Sequence, residues 1–185
     1  MTRRLLLACL AAALTLTACG GGGGGGGRGG PTEPPPPQAG LTYTPAAVSG
    51  PNTVTLRRVG TGDDRLVLEL FANQVSGVYG VAFDLRYPTG VLVFDSVREE
   101  SFLSGGGAQT TLQIAEAPAG NLVVGITRLG RVAGVGGSGV LLTLEVRVAG
   151  NGSGTLSFTS NEVFDSAGNP MAGLTWGAGS VTVNP

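Results

Sequence analysis

The segment from Val78 to Tyr87, which reads Val-Tyr-Gly-Val-Ala-Phe-Asp-Leu-Arg-Tyr, decides the fold because large apolar side chains occupy every second position. Successive side chains of a β-strand point to opposite faces, so one row enters a core while the other meets solvent. The row predicted to face the core is Tyr79, Val81, Phe83, Leu85 and Tyr87. The row predicted to face outward is Val78, Gly80, Ala82, Asp84 and Arg86. This pattern predicts a half-buried strand of an antiparallel sheet.

The same alternation recurs twice elsewhere in the chain. In Val140–Val148, the inward row is predicted to be Val140, Leu142, Leu144, Val146 and Val148, and the outward row to be Leu141, Thr143, Glu145 and Arg147. Upstream, Leu66, Leu68 and Leu70 alternate with Arg65, Val67 and Glu69. Three strands with one apolar face each need a second sheet to cover them. We therefore predict an all-β fold, a two-sheet antiparallel β-sandwich.

Further β-rich runs follow at intervals of roughly 8–12 residues, the spacing of sandwiches and barrels. The remaining strand candidates are Thr53–Arg58, Arg65–Phe71, Val91–Val97, Gln109–Ala115, Asn121–Arg128, Gly154–Thr159, Glu162–Asp165 and Trp176–Val183. Gly-, Pro- and Asn-containing turn signals separate them. The folded domain is predicted to span residues 43–185.

Three stretches of this region form a recognisable set. They are Val-Ala-Phe-Asp-Leu-Arg-Tyr-Pro-Thr-Gly-Val-Leu at Val81–Leu92, Gly-Val-Leu-Leu-Thr-Leu-Glu-Val at Gly139–Val146 and Glu-Val-Phe-Asp-Ser-Ala-Gly-Asn at Glu162–Asn169. Together they resemble the cohesin family, whose fold is related to carbohydrate-binding modules. The resemblance implies a jelly roll of about nine strands, one flat face of which receives a calcium-loaded dockerin module of a partner protein. It also implies a role in assembling polysaccharide-degrading enzymes at cell surfaces.

The chain departs from the cohesin pattern at two places. The Tyr-Asp-Pro turn of the family is Tyr87-Pro88-Thr89 here, and Gly80 and Ala82 stand where well-studied cohesins carry an Asn and an Asp that hydrogen-bond dockerin. Each lost hydrogen bond is worth about 1 kcal/mol. We therefore expect a face of this kind to depend on shape and apolar area, with close approach of the partner to the backbone.

The outward rows are the candidate partner-binding residues. Val78, Gly80, Ala82, Asp84 and Arg86 are predicted to form one strand of a binding face and Thr143, Glu145 and Arg147 another, with Gln109, Thr111 and Gln113 as candidates beside them. Alternating charges are also what the solvated side of any sheet carries, so this simpler interpretation stays open. Trp176 is the one candidate for stacking on a sugar, with burial in the core as the alternative.

Composition excludes several kinds of site. The chain has no His, its two Cys are Cys9 and Cys19, and its eleven basic residues stand against twelve acidic ones. Ser–His–Asp and Cys–His catalysis and Cys/His zinc sites are therefore excluded, and no basic patch for nucleic acid is expected. We predict no cofactor and no enzyme activity, because the neighbouring carboxylates of Asp63-Asp64 and Glu99-Glu100 would diverge rather than face each other across a sugar.

No metal site is predicted either. Asp63-Asp64 and the Asp165–Asn169 segment carry oxygen ligands that suit calcium, but neither matches an EF-hand loop, and such residues are common in turns.

The amino terminus has the pattern of a lipoprotein signal peptide. Arg3 and Arg4 precede an uncharged run from Leu5 to Leu16, which as a helix would reach only ~18 Å and is too short to span a bilayer. Leu16-Thr17-Ala18-Cys19-Gly20 resembles the lipobox of bacterial lipoproteins. The resemblance implies removal of residues 1–18, acylation of Cys19 and, with Gly20 rather than Asp after it, anchoring in the outer membrane or at the cell surface.

Residues 19–42 are predicted to be a linker between this anchor and the folded domain. The segment contains eight consecutive Gly and the run Pro34–Pro37, so a flexible coil is followed by a stiffer polyproline spacer. The sequence thus predicts a non-catalytic, surface-tethered module that binds a dockerin-type partner. A carbohydrate-binding module and a structural envelope lipoprotein are the alternatives.

Overall fold

The computed structural model describes residues 40–62 and 64–185, which form eleven β-strands and no α-helix. The strands are β1 Gly40–Pro45, β2 Thr53–Thr61, β3 Arg65–Val78, β4 Gly80–Arg86, β5 Leu92–Glu99, β6 Thr110–Glu116, β7 Asn121–Arg128, β8 Val135–Val148, β9 Gly152–Phe164, β10 Thr175–Gly177 and β11 Gly179–Asn184. A single 3₁₀ turn, Gly105–Gly107, lies between β5 and β6. Among these residues no helix is long and apolar enough to cross a membrane.

The strands form two sheets that pack face to face. The six-stranded sheet has the order β1-β11-β9-β4-β7-β6, and the five-stranded sheet has the order β10-β2-β3-β8-β5. All neighbours are antiparallel except β10, which runs parallel to β2. The predicted all-β, two-sheet sandwich is confirmed, with eleven strands rather than about nine.

The core lies between the sheets and is built from the predicted inward rows. Val81, Phe83 and Leu85 of β4 are buried, as are Leu66, Leu68 and Leu70 of β3 and Leu142, Leu144 and Val146 of β8. Burying a Leu or Val side chain contributes about 1.5–3 kcal/mol. This shared interior therefore holds the sheets together, as the alternation predicted.

The prediction was wrong at Val78, which is buried and only 1% exposed. The predicted strand Val78–Tyr87 belongs in fact to two elements, since Val78 ends β3 and pairs with Val135, whereas β4 begins at Gly80. The chain passes from one sheet to the other at Tyr79, so the alternation is interrupted there. Tyr79 is half-buried rather than inside the core, and its hydroxyl donates to the Gly130 carbonyl at 2.6 Å. Gly80 is buried too.

In β8 a second irregularity reverses one assignment. The register between β3 and β8 shifts between Leu70 and Phe71, so that Leu70 pairs with Leu142 and Phe71 with Val140. Leu141 is the extra residue of this bulge and is fully buried, although it was predicted to face solvent. A bulge of this kind turns a side chain out of the simple alternation.

Some strand limits also differ from the sequence-based ones. Gly154–Thr159 and Glu162–Asp165 form one strand, β9, in which Ser160 takes a positive φ of 50°, and Trp176–Val183 divides into β10 and β11. Strand β1 begins at Gly40, three residues before the predicted domain boundary, because it completes the sheet beside β11. The predicted signal peptide, Cys19 and residues 19–39 of the predicted linker lie outside the described residues.

Candidate docking face

The predicted partner-binding residues lie on two opposite outer faces of the sandwich. Gly80, Ala82, Asp84 and Arg86 belong to β4 in the six-stranded sheet, whereas Thr143, Glu145 and Arg147 belong to β8 in the five-stranded sheet. A single binding face made from both groups is therefore ruled out. Each outer face has to be judged separately.

The outer face of the five-stranded sheet is a network of ion pairs. Glu69 binds Arg57 at 3.0 Å, and Asp95 binds both Arg65 at 3.3 Å and Arg147 at 3.2 Å. The Arg57 guanidinium also lies 3.5 Å from the centroid of the Phe71 ring. These charged side chains bind one another across strands, as expected of a self-contained solvated face.

Thr143 and Glu145 belong to the same network. The Thr143 hydroxyl donates to Glu100 at 2.8 Å, and Glu100 also pairs with Arg98 at 2.7 Å. Hydrogen bonds from Arg98 and Thr143 lower the pKa of the Glu100 carboxyl. Glu145 lies 3.6 Å from Arg65. The polar groups of Thr143, Glu145 and Arg147 thus have partners within their own sheet, and Thr143 is itself buried.

The outer face of β4, β7 and β6 has a different chemistry. The register places Ala82 beside Gly125 and Gly125 beside Gln113, while Asp84 lies beside Val123 and Val123 beside Ala115. The ion pairs described above all belong to the other sheet. The β4–β7–β6 face is defined here by Gly80, Ala82, Asp84, Val123, Gly125, Thr127, Thr111, Gln113 and Ala115.

A shallow depression of about 520 Å³ lies in the β4–β7–β6 face. Ala82 and Gly125 lie at its centre, Thr111 and Gln113 line one side, and the loop from Phe164 to Gly168 lines another. A Cβ atom added to Gly125 would meet no atom within 4 Å, so the space above this residue is open. Small side chains in adjacent strands therefore create room for a protruding group of a partner.

Two groups beside the depression add limited polarity and apolar surface. Asn121 donates to the Asp84 carboxylate at 3.4 Å, and Val123 is 39% exposed. Arg86 is exposed at the end of β4, where it faces Ser157 of β9. The β4–β7–β6 face therefore carries few charges of its own: Asp84 and Arg86 lie at one end, and the exposed Glu162 of β9 lies beside Ala82.

Sequence reasoning missed the contribution of β7. Val123, Gly125 and Thr127 lie on the β4–β7–β6 face, while Leu122, Val124 and Ile126 are buried. This alternation is visible in Asn121–Arg128 and was sufficient to show that these three residues point outward, although not on which face. Thr111 and Gln113 lie on this face, whereas Gln109 precedes β6.

The loop beside the depression is shaped by hydrogen bonds to the Asp165 carboxylate. One carboxylate oxygen accepts hydrogen bonds from the backbone N–H groups of Ala167 at 2.8 Å and Asn169 at 2.9 Å, and the other accepts one from the Asn169 side chain at 3.2 Å. These hydrogen bonds, that of the Asn169 backbone first, lower the pKa of Asp165. Residues 40–62 and 64–185 contain no group of three or more metal-ligating side chains. Asp63 lies outside the described residues.

Trp176 packs against the core. Its ring centroid lies 5.0 Å from that of Phe158 and 5.9 Å from that of Phe83, in edge-on and tilted arrangements. Trp176 also lines a cleft whose other walls include residues 155–158 of β9 and residues 179–180 of β11. Aromatic neighbours of this kind favour the core interpretation of Trp176 over the sugar-stacking one.

The side-chain carboxylates of the sequence neighbours Glu99 and Glu100 point in different directions. The Glu99 carboxylate accepts a hydrogen bond from Thr110 of the six-stranded sheet, while Glu100 accepts one from Thr143 of the five-stranded sheet. The pair therefore does not form the facing carboxylates that glycoside hydrolysis requires.

No protein-family model matches the chain, and no curated protein matches it. Several solved structures, in contrast, are similar to the structure of this chain. The second type II cohesin module of the ScaA scaffoldin of Acetivibrio cellulolyticus has a TM-score of 0.58 at 12% identity, covering 72% of this chain and 90% of that one. The cohesin CaCohA2 of Clostridium acetobutylicum, in complex with CaDoc0917, has a TM-score of 0.57 at 15% identity, covering 69% and 96%.

A third similar structure comes from an archaeon. A non-cellulosomal cohesin of Archaeoglobus fulgidus has a TM-score of 0.50 at 20% identity, covering 75% of this chain and 88% of the other. These likenesses run over nearly the whole length of the modules compared. The folded part of the chain has the fold of a cohesin module.

Proposed function

We propose that the domain is a non-catalytic docking module whose β4–β7–β6 face binds a dockerin-type module of a partner protein. The observation that most directly supports this proposal is the contrast between the two outer faces of the sandwich. One is filled by ion pairs between its own side chains, and the other is a face of small, mostly uncharged residues with an open depression. Cohesins of the same fold have been solved in complex with dockerins, among them CaCohA2 and the sixth cohesin of scaffoldin B of Acetivibrio cellulolyticus.

The composition of the face indicates how a partner would be held. Ala82 and Gly125 let a partner approach the sheet closely, and a protruding apolar side chain fits the depression between Thr111, Gln113 and the Phe164–Gly168 loop. Binding energy at protein interfaces concentrates in a few such anchors that are fully desolvated. Asp84 and Arg86 supply orientation at one end of the face rather than most of the affinity.

The proposal includes a membrane tether. Acylation of Cys19 would anchor the chain in the outer membrane or at the cell surface, since several acyl chains at about 0.8 kcal/mol per buried methylene bind almost irreversibly. The Gly- and Pro-rich linker would then hold the docking face away from the bilayer at a high local concentration. There the module would recruit partner proteins, for example into polysaccharide-degrading assemblies.

The anchor has its own test. A Cys19→Ala variant, expressed in a bacterial host, is expected to move from the membrane pellet to the soluble fraction, because it lacks the acylated side chain. If the variant still pelleted with membranes as the original chain does, the lipid anchor would be excluded.

The docking face is tested by filling its depression. Gly125→Arg places a long side chain where the structure has open space, so the domain is expected to fold normally. The arginine side chain would fill the depression and block binding of the partner. Ser96→Arg is the matched control, since it adds the same side chain at an exposed position of β5, opposite Glu145 on the other outer face. Both variants and the unaltered domain are immobilised and exposed to secreted and surface proteins of the source organism, with calcium or with EDTA.

We expect the unaltered domain and Ser96→Arg to capture a protein carrying paired calcium-binding repeats, in calcium only. Gly125→Arg is expected to lose at least tenfold in affinity, which corresponds to about 1.4 kcal/mol. Equal capture by Gly125→Arg and Ser96→Arg would exclude this face, and capture of no such protein in calcium would exclude the dockerin-type partner.

A further inference from the structure

One edge of β6 carries a row of backbone groups that face no other strand of residues 40–62 and 64–185. Among these described strands, β6 is the last of its sheet and pairs with β7 alone. The Gln109 carbonyl accepts from Leu129 and the Ala117 N–H donates to Asn121, so the odd-numbered residues between them direct their backbone groups to β7. The N–H and C=O groups of Thr110, Leu112, Ile114 and Glu116 consequently point outward from the edge.

This edge lacks the features that protect the two edges of the five-stranded sheet. The seven residues of β6 contain no Pro, Lys or Arg, and their register with β7 has no bulge. The outer strand of the other sheet, β5, has a bulge between Phe94 and Ser96 and carries several charges, and β10 has only three residues. Flat, unprotected edges are templates for pairing with a further strand.

The side chains of β6 match those of a second copy of the same strand. If two β6 strands pair antiparallel about a two-fold axis at Gln113, Leu112 of each copy lies opposite Ile114 of the other, and Thr110 lies opposite Glu116. All the outward backbone groups are then used, and each pair of facing residues exchanges two hydrogen bonds. Ile114, 39% exposed in the single chain, becomes covered by the partner copy's Leu112.

The charges also permit this register. The one ionisable side chain of β6, Glu116, is turned back towards the Tyr87 hydroxyl and the Gly120 N–H of its own chain. In the two-fold arrangement it faces a threonine, so no like charges oppose each other.

We propose that two copies of this chain associate through antiparallel pairing of their β6 edges about Gln113, which joins the two six-stranded sheets into one continuous sheet. Edge pairing leaves the outer faces uncovered, so both β4–β7–β6 faces stay accessible side by side. A single strand pair buries less than the ~1,600 Å² of a standard interface, so the dimer is expected to be weak and reversible.

Site-directed disulfide trapping tests this register in the full chain with Cys9 and Cys19 replaced by Ser, where every introduced thiol is unique. A Gln113→Cys variant is expected to cross-link with itself, because facing residues of a non-hydrogen-bonded pair have Cβ atoms about 4.5–5.5 Å apart, close to the spacing of a disulfide. Thr111→Cys and Ala115→Cys should each fail alone, since these residues face each other and not themselves. A mixture of those two variants should cross-link.

Adding Ile114→Lys to the Gln113→Cys variant is expected to reduce cross-linking at least tenfold, since a charge then stands at the edge beside Leu112 of the second copy. Circular dichroism checks that this variant keeps its β-structure. Absence of the Gln113→Cys product, or equal cross-linking of all three single variants, would overturn the proposal. Gly125→Arg leaves the edge unaltered and should dimerise normally, so this experiment and the partner-capture experiment fail independently.

Discussion

At the scale of single residues, one hydroxyl ties the two sheets together. Tyr43 of β1 is buried, and its hydroxyl oxygen lies 3.1 Å from the Leu56 carbonyl of β2 and 3.2 Å from the Ala178 carbonyl. Burial raises the pKa of Tyr43, so the hydroxyl stays protonated and able to donate over the whole physiological range. A strand that joins the domain at the edge of one sheet is thereby fixed to the other.

Replacing Tyr43 by Phe should lower the free energy of unfolding by about 1 kcal/mol, because a buried hydrogen bond is lost with little change in apolar volume. Urea denaturation measures this change. Tyr79→Phe is the control, since that hydroxyl donates to Gly130 at an exposed site and its loss should cost less than about 0.5 kcal/mol. Equal losses in the two variants would contradict the role given to Tyr43.

A second residue, Glu116, is expected to make the free energy of unfolding depend on pH in the acid range. Its carboxylate accepts hydrogen bonds from the Tyr87 hydroxyl and the Gly120 N–H, and these lower the pKa of Glu116 in the folded chain. The Tyr87 pKa is raised to about 12, by burial first and by Glu116 second. A carboxyl whose pKa is lower in the folded state stabilises above its unfolded pKa, and the stabilisation disappears as pH falls through the folded pKa.

We therefore expect Glu116→Gln to be less stable than the original chain near pH 6, and the difference to shrink as the pH is lowered towards 3. Urea titrations at both pH values measure the difference in unfolding free energy. A difference that stays constant between these pH values would show that the carboxylate charge contributes nothing here.

At the scale of elements, the segment just before β8 crosses the end of β3 at a glycine. A Cβ atom built on Gly134, just before β8, would lie 2.2 Å from the backbone oxygen of Gly77 near the end of β3. Backbone atoms cannot move aside as a flexible side chain does, so only glycine fits this crossing.

Gly134→Ala should cost about 1–3 kcal/mol of stability, the range for overpacking. Gly125→Ala is the matched control, because an added Cβ meets no atom within 4 Å there, and its stability should change by less than about 1 kcal/mol. Thermal unfolding of both variants checks the expectation, and a Gly134→Ala variant as stable as Gly125→Ala would refute the crossing.

The alternation of side chains predicted those elements whose strands stay in one sheet. Asn121–Arg128 is a strand with the predicted limits, and Val81, Phe83 and Leu85 face the core as expected. The pattern failed where the chain changes sheet or register, at Val78 and at Leu141, since a period of two assumes an unbroken strand. Strand β1 has too short and mixed a pattern to be predicted, and its existence depends on its long-range pairing with β11.

The candidate site was only partly predictable for a related reason. Alternation tells which residues of a strand point outward, but not to which sheet the strand belongs. Ala82 and Arg147 both belong to outward rows, yet topology places them on opposite sides of the molecule. Strand order depends on tertiary pairing, so Gly125 beside Ala82 could only be recognised from the folded arrangement.

At the scale of the whole molecule, the outer faces of the two sheets differ in their chemistry. The charged side chains of the five-stranded sheet pair with one another, which suits a solvated surface, whereas the β4–β7–β6 face consists mostly of small uncharged residues around an open depression. The proposed edge pairing would place two such faces in one plane without covering either.

The most direct measurement is a map of backbone amide chemical shifts on isotopically labelled residues 40–185, recorded while the calcium-loaded partner module is added. The account predicts that the largest changes fall on Ala82, Gly125 and Gln113, with those of Thr143, Glu145 and Arg147 nearly unchanged. Changes concentrated on the second group of amides, or spread evenly over both sheets, would contradict it.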